Sequence, residues 1–528
     1  MHFPRLSFYS SFLLIFLLLA IPALLAQQPV DRPEQAPAKA VATVEEKASP
    51  KAGSREETPK EKEAVEPAPI ISRHEIRVDG RVLKYTVTTG RLPIRNADGE
   101  VEAHMFFMAY TVDPSGPGAN RRPLMFSFNG GPGSSSVWLH LGALGPKRVK
   151  MQPEGYMPAP PFILVDNEYT WLDKTDLVFV DPIGTGYSRP AKKDLGKKFW
   201  TVRGDIESIG EFIRLYLTSY ERWNSPLFMV GESYGTFRAA GLAGYLIDKG
   251  IAFNGVLLVS TFMNFETLNT SRGNENGYIL FLPTFTATAW YHKKLPPDLQ
   301  KDLRATLREV ERWALTEYAA ALAKGDQLSG AERQATIDQL ARYTGLNRTY
   351  IDNSNLRIEQ PQFSAELLRD QKRVVGRLDS RFTGQPLSGV AEMSMEDPSM
   401  SAIRPPYTAT FNNYVRQELG YKSDQEYYIL GGGISGWDTG GMKSTDDELR
   451  NAFIKNPYMK LFVAAGYYDM ATPYFGAKFS LDHLGLDPAL RANITTTSYE
   501  AGHMMYIQNE SLAKLKQDVS KFLESAIQ

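Results

Sequence analysis

The sequence predicts an α/β fold: a mixed, mostly parallel central sheet with helices between its strands and a mainly helical insertion. Three observations predict it. Short continuous apolar runs recur at Leu124–Phe128, Leu177–Val180, Leu227–Val230, Val256–Val259 and Leu461–Ala465. Runs of that length, unbroken by polar positions, suit strands buried on both faces. Helix-compatible stretches separate them, Ile206–Trp223 and Thr236–Leu246 among them. The third observation is a junction, where Leu227-Phe228-Met229-Val230 runs straight into Gly231-Glu232-Ser233-Tyr234-Gly235. A strand, then Gly-x-Ser-x-Gly, then a helix is the arrangement in which a serine projects from a turn so tight that only glycine fits two residues to either side.

Read in order, the chain begins with an export signal. Arg5 gives positive charge, Phe12–Ile21 is apolar and Pro22-Ala23-Leu24-Leu25-Ala26 is a cleavage end, so residues 1–26 are expected to be a signal peptide. Left uncleaved, it would be a membrane anchor, the one route to a membrane contact. Residues 27–70 are Ala, Pro, Glu and Lys with almost no large apolar side chains, and read as a disordered linker. Glu75–Val87 alternates polar and apolar around Asp79-Gly80, a two-residue β-hairpin, and Met105–Thr111 is a further strand. These antiparallel strands open the first part of the core, 71–263. From about 264 to 440 the pattern changes. Leu299–Tyr343 is rich in Ala, Leu, Glu, Arg and Gln at helical spacing, which reads as a cap inserted between two halves of the sheet. Phe281, Phe285, Trp290, Tyr291 and Trp437 are candidates to line a site beneath it or to fill its own core. Gly431-Gly432-Gly433 reads as a flexible return to the second core segment, 441–528.

Composition bounds the function. The 528 residues suffice for a large core, and a net charge of −1 gives no electrostatic case for nucleic acid. With no cysteine there is no disulfide and no thiolate metal site. No metal-ligand spacing appears, and no cofactor is expected. Export combined with cysteine-free composition points to a bacterial envelope, periplasmic or secreted.

A serine needs a base and a group to orient that base. In elbow-type sites the chain order is Ser, then acid, then His. Three histidines follow Ser233. His292 lies in a basic aromatic segment with no strand before it, and His483 reads as an exposed helix end. His503 follows the β-rich run Ile494–Tyr499, where a strand-end loop would carry it. Asp469 follows Leu461–Ala465 in the same way, one strand upstream. The oxyanion of acyl transfer needs donors as well. Leu124–Phe128 leads into Asn129-Gly130-Gly131-Pro132-Gly133-Ser134-Ser135-Ser136, whose backbone amides can face a cavity; no lysine follows at phosphate-loop spacing. The expected donors are the amides of Gly131 and Tyr234.

Asn129–Ser135, Gly231–Gly235 and Gly502-His503-Met504 together resemble the serine carboxypeptidases, an α/β-hydrolase family. Asn167-Glu168-Tyr169-Thr170-Trp171 and Pro182-Ile183-Gly184-Thr185-Gly186-Tyr187-Ser188 are similar to two further family segments. The resemblance covers roughly 123–259 and 461–507. It implies an α/β-hydrolase fold and a catalytic set of Ser233, Asp469 and His503. It also implies an oxyanion hole from Gly131 and Tyr234, and a site for a peptide's terminal carboxylate from Asn129, Gly130 and Glu232. Glu232 would serve there in its protonated form, because two carboxylates repel. Two positions depart from the family. Ala143 falls where a second glutamate is usual, and Ser134 where cysteine is common. The expected function is an exported serine peptidase acting on peptide C-termini, with a peptide as its partner. An esterase or acyltransferase with the same three residues is the alternative, and a non-catalytic envelope binding protein a more distant one.

Overall fold

The computed structural model describes residues 67–113, 121–393 and 396–527. The expected signal peptide and all but the last four residues of the 27–70 linker lie outside them. No described helix is long and apolar enough to cross a membrane.

A hairpin opens the sheet. Strands β1 (Ile70–Val78) and β2 (Arg81–Arg95) pair antiparallel, with Val78 opposite Arg81. The two turn residues, Asp79 at φ 48° and Gly80 at φ 77°, both take the left-handed conformation that a two-residue turn needs to match strand twist. Then follow β3 (Val101–Val112), β4 (Leu124–Phe128), β5 (Asp176–Val180), β6 (Leu227–Ser233), β7 (Gly255–Thr261), β8 (Lys460–Gly466) and β9 (Ile494–Tyr499). Their order across the ten-stranded sheet is β1-β2-β3-β5-β4-β6-β7-β8-β9, with Arg189–Pro190 pairing against β3 as the tenth. Pairing is antiparallel from β1 to β5 and parallel from β5 to β9. This strand order, with a serine elbow after β6, is an α/β-hydrolase fold.

The unbroken apolar runs are explained by two separate cores. Along β4, Met125 belongs to the cluster on one face, and Leu124, Phe126 and Phe128 to the cluster on the other. The second cluster is closed by helices α1 (Val202–Ser219) and α2 (Tyr234–Ile247), through Ile209, Phe212, Phe237 and Ala240. Helix α1 sits four residues earlier than the predicted 206–223. Thr201 caps it, its side chain accepting from the Gly204 amide, and the chain leaves the helix before Glu221, which is at φ 53°. Cap chemistry decided the boundary, whereas the apolar spacing decided only that a helix exists.

The segment after β7 divides between two cores. Helices α3 (Asn276–Tyr291), α4 (Leu303–Trp313) and α5 (Gly330–Thr344) share a further cluster, with Phe281, Phe285 and Leu340 inside it and Ala465, Tyr474 and Phe475 of the second half packed into it. Helix α6 (Pro398–Gln417) instead packs on the sheet: Ile403, Tyr407, Phe411 and Tyr414 join Trp138 and Tyr110 in one cluster. The return stretch is not loose. Leu430 bridges to Ser134, Tyr428 to Gly186, and a side chain at Gly433 would meet the Gly184 carbonyl at 2.0 Å. Glycine serves close packing there rather than flexibility. Helices α7 (Asp446–Lys455), α8 (Tyr474–Asp482) and α9 (Asn509–Ile527) complete the second half.

One ion pair ties α1, α2 and the loop after β4 together. Arg238 on α2 is 1% exposed; its Nε donates to Asp205 of α1 at 2.7 Å, and a terminal nitrogen donates to the Asn129 carbonyl at 2.5 Å. Removing one partner would strand a buried charge. Arg238→Ala is expected to lower stability by about 3–5 kcal/mol in urea unfolding, and a double change to apolar residues at 205 and 238 by clearly less.

Candidate active site

Strand β6 ends at Ser233 and helix α2 begins at Tyr234, with no residue between them. The turn is closed by placing Ser233 at φ 60°, ψ −130°, a region glycine normally occupies, at a cost of about 1–3 kcal/mol. The flanking glycines are sterically required. A Cβ at Gly231 would lie 2.0 Å from the Gly235 carbonyl, and one at Gly235 would lie 2.8 Å from the Phe128 carbonyl. The serine therefore stands at the strand end, over the N-terminus of a helix.

Register brings the second motif alongside. Phe128 pairs with Gly231, so the loop that leaves β4 begins beside the elbow. Gly130 lies so close that a Cβ there would sit 2.3 Å from the Tyr234 amide nitrogen. Gly131 follows at φ 105°. Asn129, Gly130, Gly131, Glu232, Ser233 and His503 all border one cleft of about 240 Å³. Its apolar wall includes Phe262, Phe265, Leu268, Met400 and Ile403, and Arg377 stands among the lining residues as a cation. The aromatic residues singled out from sequence do not line it. Phe281 and Phe285 lie in the cluster around α3, α4 and α5, Trp290 and Tyr291 border a separate hollow of about 740 Å³, and Trp437 packs edge-on against Tyr234.

His503 and Asp469 are joined behind this cleft. His503 Nδ1 and Asp469 Oδ2 are 2.7 Å apart, with Asp469 fully buried and His503 5% exposed. Asp469 is itself fixed. Its Oδ1 accepts from the amides of Ala471 and Thr472 at 2.8 and 3.0 Å, and its Oδ2 accepts from the Thr472 hydroxyl at 2.7 Å. On the other side His503 is held through its backbone: its amide donates to the Leu378 carbonyl at 2.6 Å, and its carbonyl accepts from the Ser260 hydroxyl. Burial works to lower the His503 pKa, but the Asp469 carboxylate outweighs it and the net shift is upward. His292 and His483 are elsewhere. Each ends a helix and uses a ring nitrogen on a backbone carbonyl, Ser380 and Phe479 respectively.

Glu232, between the elbow glycine and the serine, is 2% exposed. Its Oε2 accepts from Asn129 Nδ2 at 2.5 Å and from the Tyr506 hydroxyl at 2.6 Å. Asn129 is oriented in turn, its Oδ1 accepting from the Leu139 amide at 3.1 Å. Burial pushes the Glu232 carboxyl up to about 7, against the opposing pull of His503 and the two donors. The raised value favours the neutral, protonated carboxyl.

The family model described as "Serine carboxypeptidase" matches residues 85–517. The chain belongs to the serine carboxypeptidase family. Individual relatives align over shorter stretches. A pheromone-processing carboxypeptidase KEX1 of Saccharomyces cerevisiae is 33% identical over 159 residues, 28% of this chain and 20% of that protein. Serine carboxypeptidase-like 51 of Arabidopsis thaliana is 32% identical over 28% of this chain and 30% of its own length. The retinoid-inducible serine carboxypeptidase of Mus musculus is 28% identical over 31% and 35%. The aligned stretches thus span a third or so of these relatives at most.

One of the two departures from the family pattern has a local explanation. Ser134 donates toward the Ile429 carbonyl at 3.3 Å and accepts from Trp138 Nε1 at 2.7 Å, so hydroxyl hydrogen bonds hold the loop in this cysteine-free chain. Ala143 is fully buried in the helical turn His140–Leu144, and the side-chain hydroxyl that reaches Glu232 is that of Tyr506. Sequence reading missed Tyr506, Arg238, Thr472 and Arg377. Arg238 alone left a signal, as a charge within the otherwise apolar helix Thr236–Leu246. The others meet the site only through tertiary contacts.

The strained elbow makes a prediction separable from chemistry. Ser233→Gly is expected to be more stable than Ser233→Ala by about 1–2 kcal/mol, because relief of the backbone outweighs the added entropy of the unfolded glycine chain. Denaturant melts of the two variants check it.

Proposed function

We propose that this chain is an exported serine-type carboxypeptidase, with Ser233 as nucleophile, His503 as base and Asp469 as its orienting acid. The observation that carries this reading is Glu232. A buried carboxyl with a pKa near 7 borders the same cleft as the serine, next to it in sequence, with an asparagine amide on one oxygen. A carboxylic acid that keeps its proton can donate to a peptide's terminal carboxylate, and that contact places the last peptide bond over Ser233.

The chemistry on this reading is acyl transfer through a covalent intermediate. Ser233 Oγ attacks the carbonyl of the last peptide bond as His503 takes its proton. Asp469 keeps the His503 proton on Nδ1 and stabilises the imidazolium. The amides of Gly131 and Tyr234 receive the oxyanion, each such donor worth on the order of a hundredfold in rate. His503 then protonates the leaving amine, and water resolves the acyl-enzyme by the same route. The apolar wall of Phe262, Phe265 and Leu268 favours uncharged side chains. Export rests on residues 1–26, with a basic start, an apolar run and a small-residue end.

Mass spectrometry of a peptide library is expected to show single residues leaving from free C-termini with the wild type and none with Ser233→Ala. Peptides amidated at the C-terminus are expected to survive; equal cleavage of both would point to a general esterase or amidase instead. Asp469→Asn is expected to lower kcat on the order of 10⁴-fold, because the wrong His503 tautomer is then held.

The pH dependence has a defined sign. Activity needs His503 neutral, so kcat/KM rises with pH as His503 loses its proton, at a value above the ordinary histidine range. Binding of a free carboxylate needs Glu232 protonated, so kcat/KM for such substrates falls again as pH passes about 7. An ester substrate without a carboxylate is expected to show the rising limb alone.

A further inference from the structure

Glu232 is held on one side only. Its Oε2 takes two donors, the Asn129 amide and the Tyr506 hydroxyl, at 2.5 and 2.6 Å. Among the described residues its Oε1 has no hydrogen-bond partner, and it is not one of the enclosed orphan atoms, so it is open to the cleft that Glu232 borders. Two donors on Oε2 leave Oε1 as the site for the proton.

Tyr506 reaches this position because the chain makes room for it. It is 1% exposed, in the short turn Met505–Ile507 that begins two residues after His503. A side chain at Gly142 would meet the Tyr506 ring at 2.4 Å and the Tyr407 hydroxyl at 2.7 Å. Glycine at 142 therefore leaves the space that one edge of the Tyr506 ring occupies beside the helical turn after the Asn129 loop. The groups facing Glu232 are Asn129 from that loop, Tyr506 and His503 from the loop after β9, Asp469 from the loop after β8, and Tyr407 from α6.

We propose that Tyr506 is the positioning residue of the carboxylate clamp: with Asn129 it fixes Glu232 through Oε2, so that the Oε1 proton points at the terminal carboxylate of the substrate. This rests on the carboxypeptidase reading of Glu232 given above. Tyr506 acts through Glu232 and does not touch the reacting atoms. A tyrosine hydroxyl offers its hydrogen across the whole working pH range, so the clamp has one titrating member rather than two.

The test compares two substrates with the same acyl group, an N-blocked dipeptide and the methyl ester of its N-blocked first residue. Both give the same acyl-enzyme, and only the dipeptide carries a carboxylate. Tyr506→Phe keeps the ring and removes one donor. It is expected to raise KM for the dipeptide about tenfold, with kcat and all ester kinetics within about twofold of wild type. The falling pH limb for the dipeptide is expected to move to higher pH, because the Glu232 anion has lost a donor. Gly142→Ala, which displaces the ring and keeps the hydroxyl, is expected to show the same dipeptide-selective loss. Parallel losses on both substrates, or an unmoved dipeptide KM and pH limb in Tyr506→Phe, overturn the role of Tyr506 and leave the carboxypeptidase reading standing. Wild-type protein that cleaves the dipeptide and its C-terminal amide alike overturns that reading, and this inference with it.

Discussion

Everything at the site depends on a backbone contact between two loops that lack side chains where they meet. Phe128 and Gly231 are paired neighbours at the ends of β4 and β6, so the two chains leave the sheet side by side. Gly130 and the Tyr234 amide then come within a distance no Cβ would permit. One loop carries Asn129 and Gly131; the other carries Glu232, Ser233 and Tyr234. Their mutual placement is set by hard-core repulsion, which is steeper than any hydrogen bond. The Arg238 guanidinium closes the assembly from below, holding the Asn129 carbonyl while its charge is balanced by Asp205. Backbone strain at Ser233 is sustainable because this frame over-determines it.

The other half of the site is built more softly. His503 and Asp469 come from loops after adjacent parallel strands, β8 and β9, with Gly466 paired to Tyr499 at their ends. Their hydrogen bond therefore spans neighbouring strands, and three further donors immobilise the carboxylate. Ser260, itself at φ 53° at the end of β7, anchors the His503 carbonyl from the middle of the sheet. The two halves meet over the short distance from β6 through β7 to β8. A parallel sheet with ends in register supplies this convergence without any long-range side-chain design.

What was legible in the sequence follows from this division. The strands announced themselves because both faces are covered, which removes polar positions from Leu124–Phe128 and Leu227–Val230. The elbow was legible because its steric demand can be met by glycine alone. Ser233, His503 and Asp469 stood at strand ends, where order along the chain limited the choices. Helix α3 was not legible as a helix: it is buried on nearly all sides and carries Pro283 inside it, so no periodicity marks it. The packing of α6 against the sheet was hidden for a similar reason, since Pro405 and Pro406 interrupt its pattern. Nor does local sequence indicate that Tyr506 meets Glu232, 274 positions away. A tyrosine three residues after a histidine is ordinary until Gly142 and Asn129 are placed beside it.

Glu232 and His503 also bear on one another. Both hold protons more tightly than the free groups, and each counts among the charges that shift the other. Two arrangements of one proton over this pair are chemically distinct. In the first, Glu232 is neutral and His503 is free to act as a base. In the second, Glu232 is anionic and His503 is an imidazolium that cannot accept the serine proton. A ligand carboxylate at Oε1 is repelled by the second arrangement and hydrogen-bonded by the first. By linkage it selects the first, so the anion that the clamp recognises also leaves the base in its working form. A ligand without that carboxylate gains nothing from the choice and meets both arrangements as they stand. On the proposed reading, recognition of a free C-terminus and readiness of the nucleophile are thus one equilibrium, set by where a single buried proton resides.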